Sequence, residues 1–383
     1  MHVRDDRRVS ASLLADSCGT TGSLPTATRL ERQTVRPTVL LTWTTIALSL
    51  ALILACTPKD EPPPPPELVN ELNETLQAVS LDLEGAVLSL WVEADGDAWF
   101  SGGTTGPEGG FILHLTDDLI RREITPPGPL LWWVTGIDSD HLWAVGEGGR
   151  IISRRDGSWR DESPDLSDKA ILYGAWAATE DDVWAVGGSI RRDGPKGLVL
   201  RSTGDGMWRR IESPLFPTEL NLYKVWGDGP NNVFLVGEGG VVIRWDGREF
   251  SRYDTGFSDL LFTVHGQSNG PVITVGGLST AATFSLKDEG WSPEFPEGAP
   301  GLNGVFVRND GMAIASGNRG AILVRGTDEH WHSVRGRHAA EIGGRTLHAV
   351  WSTMATWAVG GDLSSMTDGI ILTTRTPVPR VEL

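Results

Sequence analysis

Cysteine is nearly missing from this chain. Only Cys18 and Cys56 carry thiols in 383 residues, so nothing after residue 56 can form a disulfide or a Cys-based zinc or redox centre. Tyrosine is almost as scarce, at Tyr173, Tyr223 and Tyr253. Few stretches show helical spacing of apolar residues, which excludes helical solenoids. No H-E-x-x-H pair or G-x-x-x-x-G-K-[ST] loop occurs, so the metalloprotease and phosphate-loop signatures are absent. Positive charge is in short supply too. Residues 56–383 hold 27 Lys and Arg against 46 Asp and Glu, a formal charge of −19. Such a balance argues against nucleic acid and anionic headgroups as partners and suits solubility or a basic partner.

The one long apolar run is 39–55, VLLTWTTIALSLALILA, behind Arg4, Arg7, Arg8, Arg29, Arg32 and Arg36. A basic segment, an apolar core and a small residue at its end are the parts of a secretory signal. The long polar lead would shorten if translation began near Val35. The ending Ile53-Leu54-Ala55-Cys56 resembles a bacterial lipobox, which implies cleavage before Cys56 and acylation of its thiol. The alternative is an uncleaved anchor, since 17 residues is at the lower limit for spanning. Residues 1–55 are therefore expected to be a lipoprotein signal, and 56–66 a lipidated Cys followed by a Pro-rich tether (TPKDEPPPPP) of roughly 30 Å. Thr57, in place of an aspartate, favours the outer membrane if the cell has two. The expected location is the cell envelope, outside the cytoplasm, with a lipid anchor as the membrane contact.

What fills the rest is repetition. Leu172–Gly188 reads LYGAWAATEDDVWAVGG, and related strings recur with a closing glycine at Gly102, Gly146, Gly187, Gly237, Gly276, Gly317 and Gly360. Their spacings of 44, 41, 50, 39, 41 and 43 residues, carried by short β-type runs, predict propeller blades. Each unit reads as L-x-x-V-W, a turn, V-W-A-V-G, a Gly-rich turn, an apolar run, and a fourth strand near Asp-Gly and an aromatic. Trp99, Trp143, Trp184 and Trp357 share one repeat position with Phe234, Ile273 and Ile314, and Trp159, Trp208, Trp291 and Trp331 share another. Both sets read as blade-to-blade packing. The fold expected over 67–383 is all-β: a seven-bladed propeller of four-stranded blades, one closed ring and a monomer. The last repeat lacks a fourth strand of its own. Residues 67–85, with a short helix at Leu68–Leu76 and alternation at Val79, Leu81 and Leu83, are expected to supply it; Val378–Leu383 is the other candidate.

Residues 86–375 resemble the bacterial VWAVG-repeat propellers of secreted proteins and lipoproteins, and more distantly BNR-type and photosystem-II-assembly-factor-like propellers. RRDGSW at 154–159 and STGDGMW at 202–208 resemble the Asp-box, with shorter spacing. In those families the box is structural, so the resemblance implies a fold and no activity.

Chemistry-bearing residues are few. The GEGG strings at 146–149 and 237–240 read as turns. His330 and His332 are spaced like a metal pair without a third ligand. The acidic turns at Asp138, Asp140 and Glu180–Asp182 read as chain closure, with calcium the alternative. No cofactor is expected. One repeat position varies: after the leucine of L-x-x-V-W stand Leu88, Trp132, Tyr173, Tyr223, Phe262, Asn303 and His348. At the entry of the innermost strands these would ring one channel mouth, a rim suited to a sugar or peptide; the alternative is packing between blades. The expected function is a non-catalytic binding or scaffold module for an envelope protein or glycan. The alternatives are a sialidase-like glycan hydrolase, for which an arginine triad and paired Tyr/Glu would be wanted, and an assembly factor for an envelope complex.

Overall fold

The structure is a computed structural model that describes residues 64–383; the expected signal, Cys56 and most of the tether lie outside the described residues. Seven sheets, each with four antiparallel strands, follow one another around a ring. Five are built from consecutive strands: the second blade comprises Leu131–Asp138, His141–Gly146, Ile151–Arg155 and Ser158–Asp161, and the fourth Leu222–Gly229, Asn232–Gly237, Val242–Trp245 and Phe250–Tyr253.

Both ends of the chain seal the ring. Gln77–Leu83 pairs antiparallel with Thr367–Thr373, Ser80 opposite Ile371, and is the fourth strand of the last blade. Arg380–Glu382 runs instead parallel to Leu119–Arg122 and adds a fifth strand to the first blade. The helix Glu67–Thr75 precedes the closing strand. It buries Leu68, Val69 and Leu72 against Ile322, Val324, Ile342 and Ile370, over the junction of blades six and seven. Full burial of such a side chain contributes roughly 1.5–3 kcal/mol.

The repeated glycine has a steric cause. At each of the seven positions an added Cβ would lie 1.9 to 2.3 Å from the carbonyl oxygen of the residue just before the inner-strand leucine or its equivalent. For Gly146 that atom is the Leu130 carbonyl, and for Gly360 it is the Thr346 carbonyl. No side chain fits in that gap, so the second strand can approach the inner strand only as glycine.

Tryptophan then joins blade to blade. Trp99 meets Trp159 of the next blade edge-on, with centroids 6.1 Å apart, and Phe234 meets Trp291 at 5.9 Å. Trp143 and Trp208 share one buried cluster. The second-strand residue of one blade thus packs under the fourth-strand tryptophan of the next, an arrangement worth more than the buried area alone. The Asp-Gly turns are tight reversals between third and fourth strands, with Asp156 at φ 49° and Gly157 at φ 73°.

Candidate functional site

The inner strands run in the same sense around the ring, so equivalent positions gather at equivalent depths. The residues that follow the inner-strand leucine come together at the strand entry. Trp132, Tyr173, Tyr223, Phe262, Asn303 and His348 line one cavity of about 120 Å³, with Lys224 at its floor. Their rings form a continuous stair through five blades. Centroids are 5.8 Å apart for His348 and Trp132, 5.6 Å for Trp132 and Tyr173, 5.2 Å for Tyr173 and Tyr223, and 5.3 Å for Tyr223 and Phe262. Leu88, from the first blade, is not part of the rim. It is fully buried against Ala86 and Leu130, because the first blade's neighbour covers it with Trp132.

Hydrogen bonds fix the rim. Tyr223 donates its hydroxyl to Glu238 Oε1 at 2.8 Å, and the same carboxylate accepts the Asn221 backbone N–H at 2.9 Å and its Nδ2 at 2.8 Å. Burial, and then the facing carboxylate, push the Tyr223 hydroxyl up; burial, Glu238 and Glu147 do the same for Tyr173. Both phenols therefore stay neutral. Asn303 Nδ2 donates to the Leu347 carbonyl at 3.0 Å, tying blade six to blade seven. His348 faces the Leu88 carbonyl through Nδ1. Burial, followed by Lys224, holds the His348 imidazole down to about 3. It is neutral, with Nδ1–H donating and Nε2 left as an acceptor.

A second ring lies deeper along the same strands. Trp91, Trp176, Trp226, His265, Phe306 and Trp351, with Thr135 in the second blade, line a cavity of about 130 Å³. His265 sits 4.5 Å from Phe306 and 5.4 Å from Trp226 between centroids, and its Nδ1 accepts the Val307 N–H at 3.0 Å. Burial takes its imidazole down to about 3. These residues are the tryptophan of L-x-x-V-W and its equivalents. In the sequence they read as ordinary strand residues, but they stand three positions after the rim residue in every copy. That offset was the signal that a second layer would form.

Between the two rings lies Lys224, which borders both cavities. It is 4% exposed, and its Nζ donates to the Tyr173 carbonyl at 3.1 Å and stands 3.5 Å from the centroid of Trp133. Burial puts its amine well below the ordinary lysine range. Neither cavity has an Asp or Glu in its wall.

The remaining candidates are dispersed. His330 is exposed at a turn beside Asp328, and His332 lies on the outer strand Trp331–Ser333. Among the described residues no three metal-ligating side chains gather. Asp182 is engaged by Arg201 Nε at 2.6 Å, and Asp138 and Glu180 both contact His141, at 2.8 and 3.1 Å. Glu238–Gly240 forms a single 3-10 turn with Gly239 at φ 66° and no helix after it. Among the described residues no helix is long and apolar enough to cross a membrane.

Similarity to known proteins is carried by structure alone. YCF48 from Cyanidioschyzon merolae superposes with a TM-score of 0.58 at 13% identity, over 78% of this chain and 98% of that one. The extracellular domain of BT3049 from B. thetaiotaomicron gives 0.58 at 12% identity, over 79% of this chain and 41% of that one. The WD40 propeller domain of Doa1 gives 0.56 at 10%, over 79% and 98%. This chain spans about two fifths of the BT3049 structure. At these identities the likeness is one of fold. No family model and no curated protein sequence matches the chain.

Proposed function

We propose that this propeller is an exported, lipid-anchored binding module, without catalytic activity, that holds a protein partner at the cell envelope through its central channel. The observation that carries the reading is the rim. Side chains from six consecutive blades line one small cavity, four of them aromatic, and no carboxylate stands in the wall. A flat apolar group entering there meets ring faces on several sides, the usual make-up of a recognition pocket. Glycoside hydrolysis would want two carboxyl groups about 5 to 9.5 Å apart over the substrate, and neither cavity wall has one. Anchoring rests on Cys56 at the end of the apolar run and on the proline tether that follows it.

Two measurements test this reading. The full chain, extracted with detergent, serves as bait beside its Trp132→Ala/Tyr173→Ala/Tyr223→Ala variant. A partner retained by the first and lost by the second is expected, and equal capture by both moves the site off the channel. Metabolic labelling with a fatty acid is expected to mark the chain and to vanish in Cys56→Ser. Unchanged labelling would end the anchor reading.

A further inference from the structure

Lys224 is the one Lys, Arg, Asp or Glu within the five-residue run from leucine to tryptophan, or its equivalent, in any inner strand. The corresponding residues elsewhere are Ser89, Trp133, Gly174, Thr263, Gly304 and Ala349. The fold makes room for it. A Cβ on Gly174 would lie 3.0 Å from both Cα and Cδ of Lys224 and 2.7 Å from the Tyr223 carbonyl oxygen. An ammonium carries three N–H donors, yet only one finds an oxygen here, the Tyr173 carbonyl. No carboxylate oxygen among the described residues lies within 4.0 Å of Nζ. Charged side chains this deeply buried are normally paired. This one ends at the floor of an open-mouthed cavity with its partner missing.

We infer that the channel takes a ligand with a carboxylate on a flat apolar body, and that Lys224 Nζ receives the carboxylate while the rim aromatics clasp the body. This rests on the rim being a binding site. The chemistry is specific in three ways. First, the wall supplies no negative charge of its own, so an entering carboxylate is the group that completes the pair, in a setting where a charge-assisted hydrogen bond is strong. Second, one ammonium suits a monoanion, whereas a phosphate dianion calls for several donors or a guanidinium fork. Third, the size fits: a cavity of about 150 Å³ accepts benzene, and the mouth cavity measures about 120 Å³ and is open at the rim.

Desolvation lowers the amine in the empty channel, and a carboxylate beside Nζ favours its charged form, so binding strengthens the hold of Lys224 on its proton. The other titratable groups near the channel are His348, His265, Tyr173 and Tyr223, all neutral, and Glu238, which accepts from Asn221 and Tyr223. Glu147, which acts on Tyr173, is pushed up by its own burial.

The test uses benzoate and benzamide, a matched acid and neutral amide, titrated calorimetrically into the full detergent-solubilised chain and into Lys224→Met. Wild type is expected to bind benzoate at least tenfold more tightly than benzamide. Lys224→Met is expected to lose the preference and keep benzamide binding. The wild-type preference for benzoate over benzamide tests the inference even if the variant folds poorly. Equal binding of the two probes by wild type, or a preference that survives Lys224→Met, overturns the role of Lys224. If benzamide binding is then lost in the Trp132/Tyr173/Tyr223 variant, the rim reading stands without it. Failure of both probes to bind at millimolar concentration overturns the inference, and partner capture then judges the rim alone.

Discussion

The two channel histidines make stability depend on pH in a calculable way. His265 and His348 each fall to about 3 in the folded protein from 6.5. The unfolded chain therefore binds more protons than the folded one between pH 3 and 6.5, and stability is lost as pH falls through 6.5. From pH 7.5 to 5.0 each histidine removes about 2 kcal/mol, and the pair about 4 kcal/mol. Carboxylates held low by their partners, such as Glu294 beside Arg325, act mainly below that window. Lys224, whose amine burial lowers, is present in both proteins compared and largely cancels. The assay is equilibrium urea unfolding, followed by tryptophan fluorescence at several pH values, for wild type and His265→Gln/His348→Gln. Glutamine can still accept from Val307 N–H and donate to the Leu88 carbonyl. The wild-type loss between pH 7.5 and 5.0 should exceed that of the variant by about 4 kcal/mol. Parallel pH profiles would refute the claim that these imidazoles are neutral and desolvated.

Other outcomes follow from the packing. Gly174→Ala places a methyl 2.7 Å from the Tyr223 carbonyl oxygen and against the Lys224 stem; a loss of about 1–3 kcal/mol is expected in the same urea assay. Trp143→Ala removes a 1% exposed side chain from the junction of blades two and three and should cost about 3–5 kcal/mol. Glu294→Ala leaves Arg325, whose side chain is 3% exposed, without the carboxylate that takes its Nε at 2.9 Å and its second nitrogen at 2.7 Å. A loss of about 3–5 kcal/mol is expected, and Arg325→Met in the same background should recover part of it, measured by thermal melts.

The fold could be read from the chain because its periodic residues answer local steric demands. The closing glycine recurs where a Cβ cannot fit, and the tryptophans recur where one blade meets the next; neither depends on distant chain. The rim was reachable for the same reason, since seven parallel inner strands bring equal positions to equal depth. Lys224 and the second aromatic ring were harder. A lysine in L-Y-K-V-W alternates like any exposed strand residue, and only the ring shows that both faces of an inner strand are enclosed. Leu88 failed as a rim residue because Trp132, a much larger side chain on the neighbouring strand, occupies the space beside it. The destination of Arg380–Glu382 had no signal either: three residues pairing in parallel with the first blade leave no periodicity to find.

The seam between Gln77–Leu83 and the seventh blade also sets the order in which the ring can be finished. Ser80 lies opposite Ile371, so the earliest strand of the ring waits for the seventh blade to be synthesised. Until then its hydrogen-bonding edge is bare, and the helix Glu67–Thr75 has no blade six or seven to cover. Pairings between such distant segments form slowly, and a bare edge recruits neighbours. A truncated chain of this kind cannot be a slightly smaller propeller. It would be an open arc with an adhesive strand at one end, and ring closure serves as the molecule's own proof that all seven blades are present.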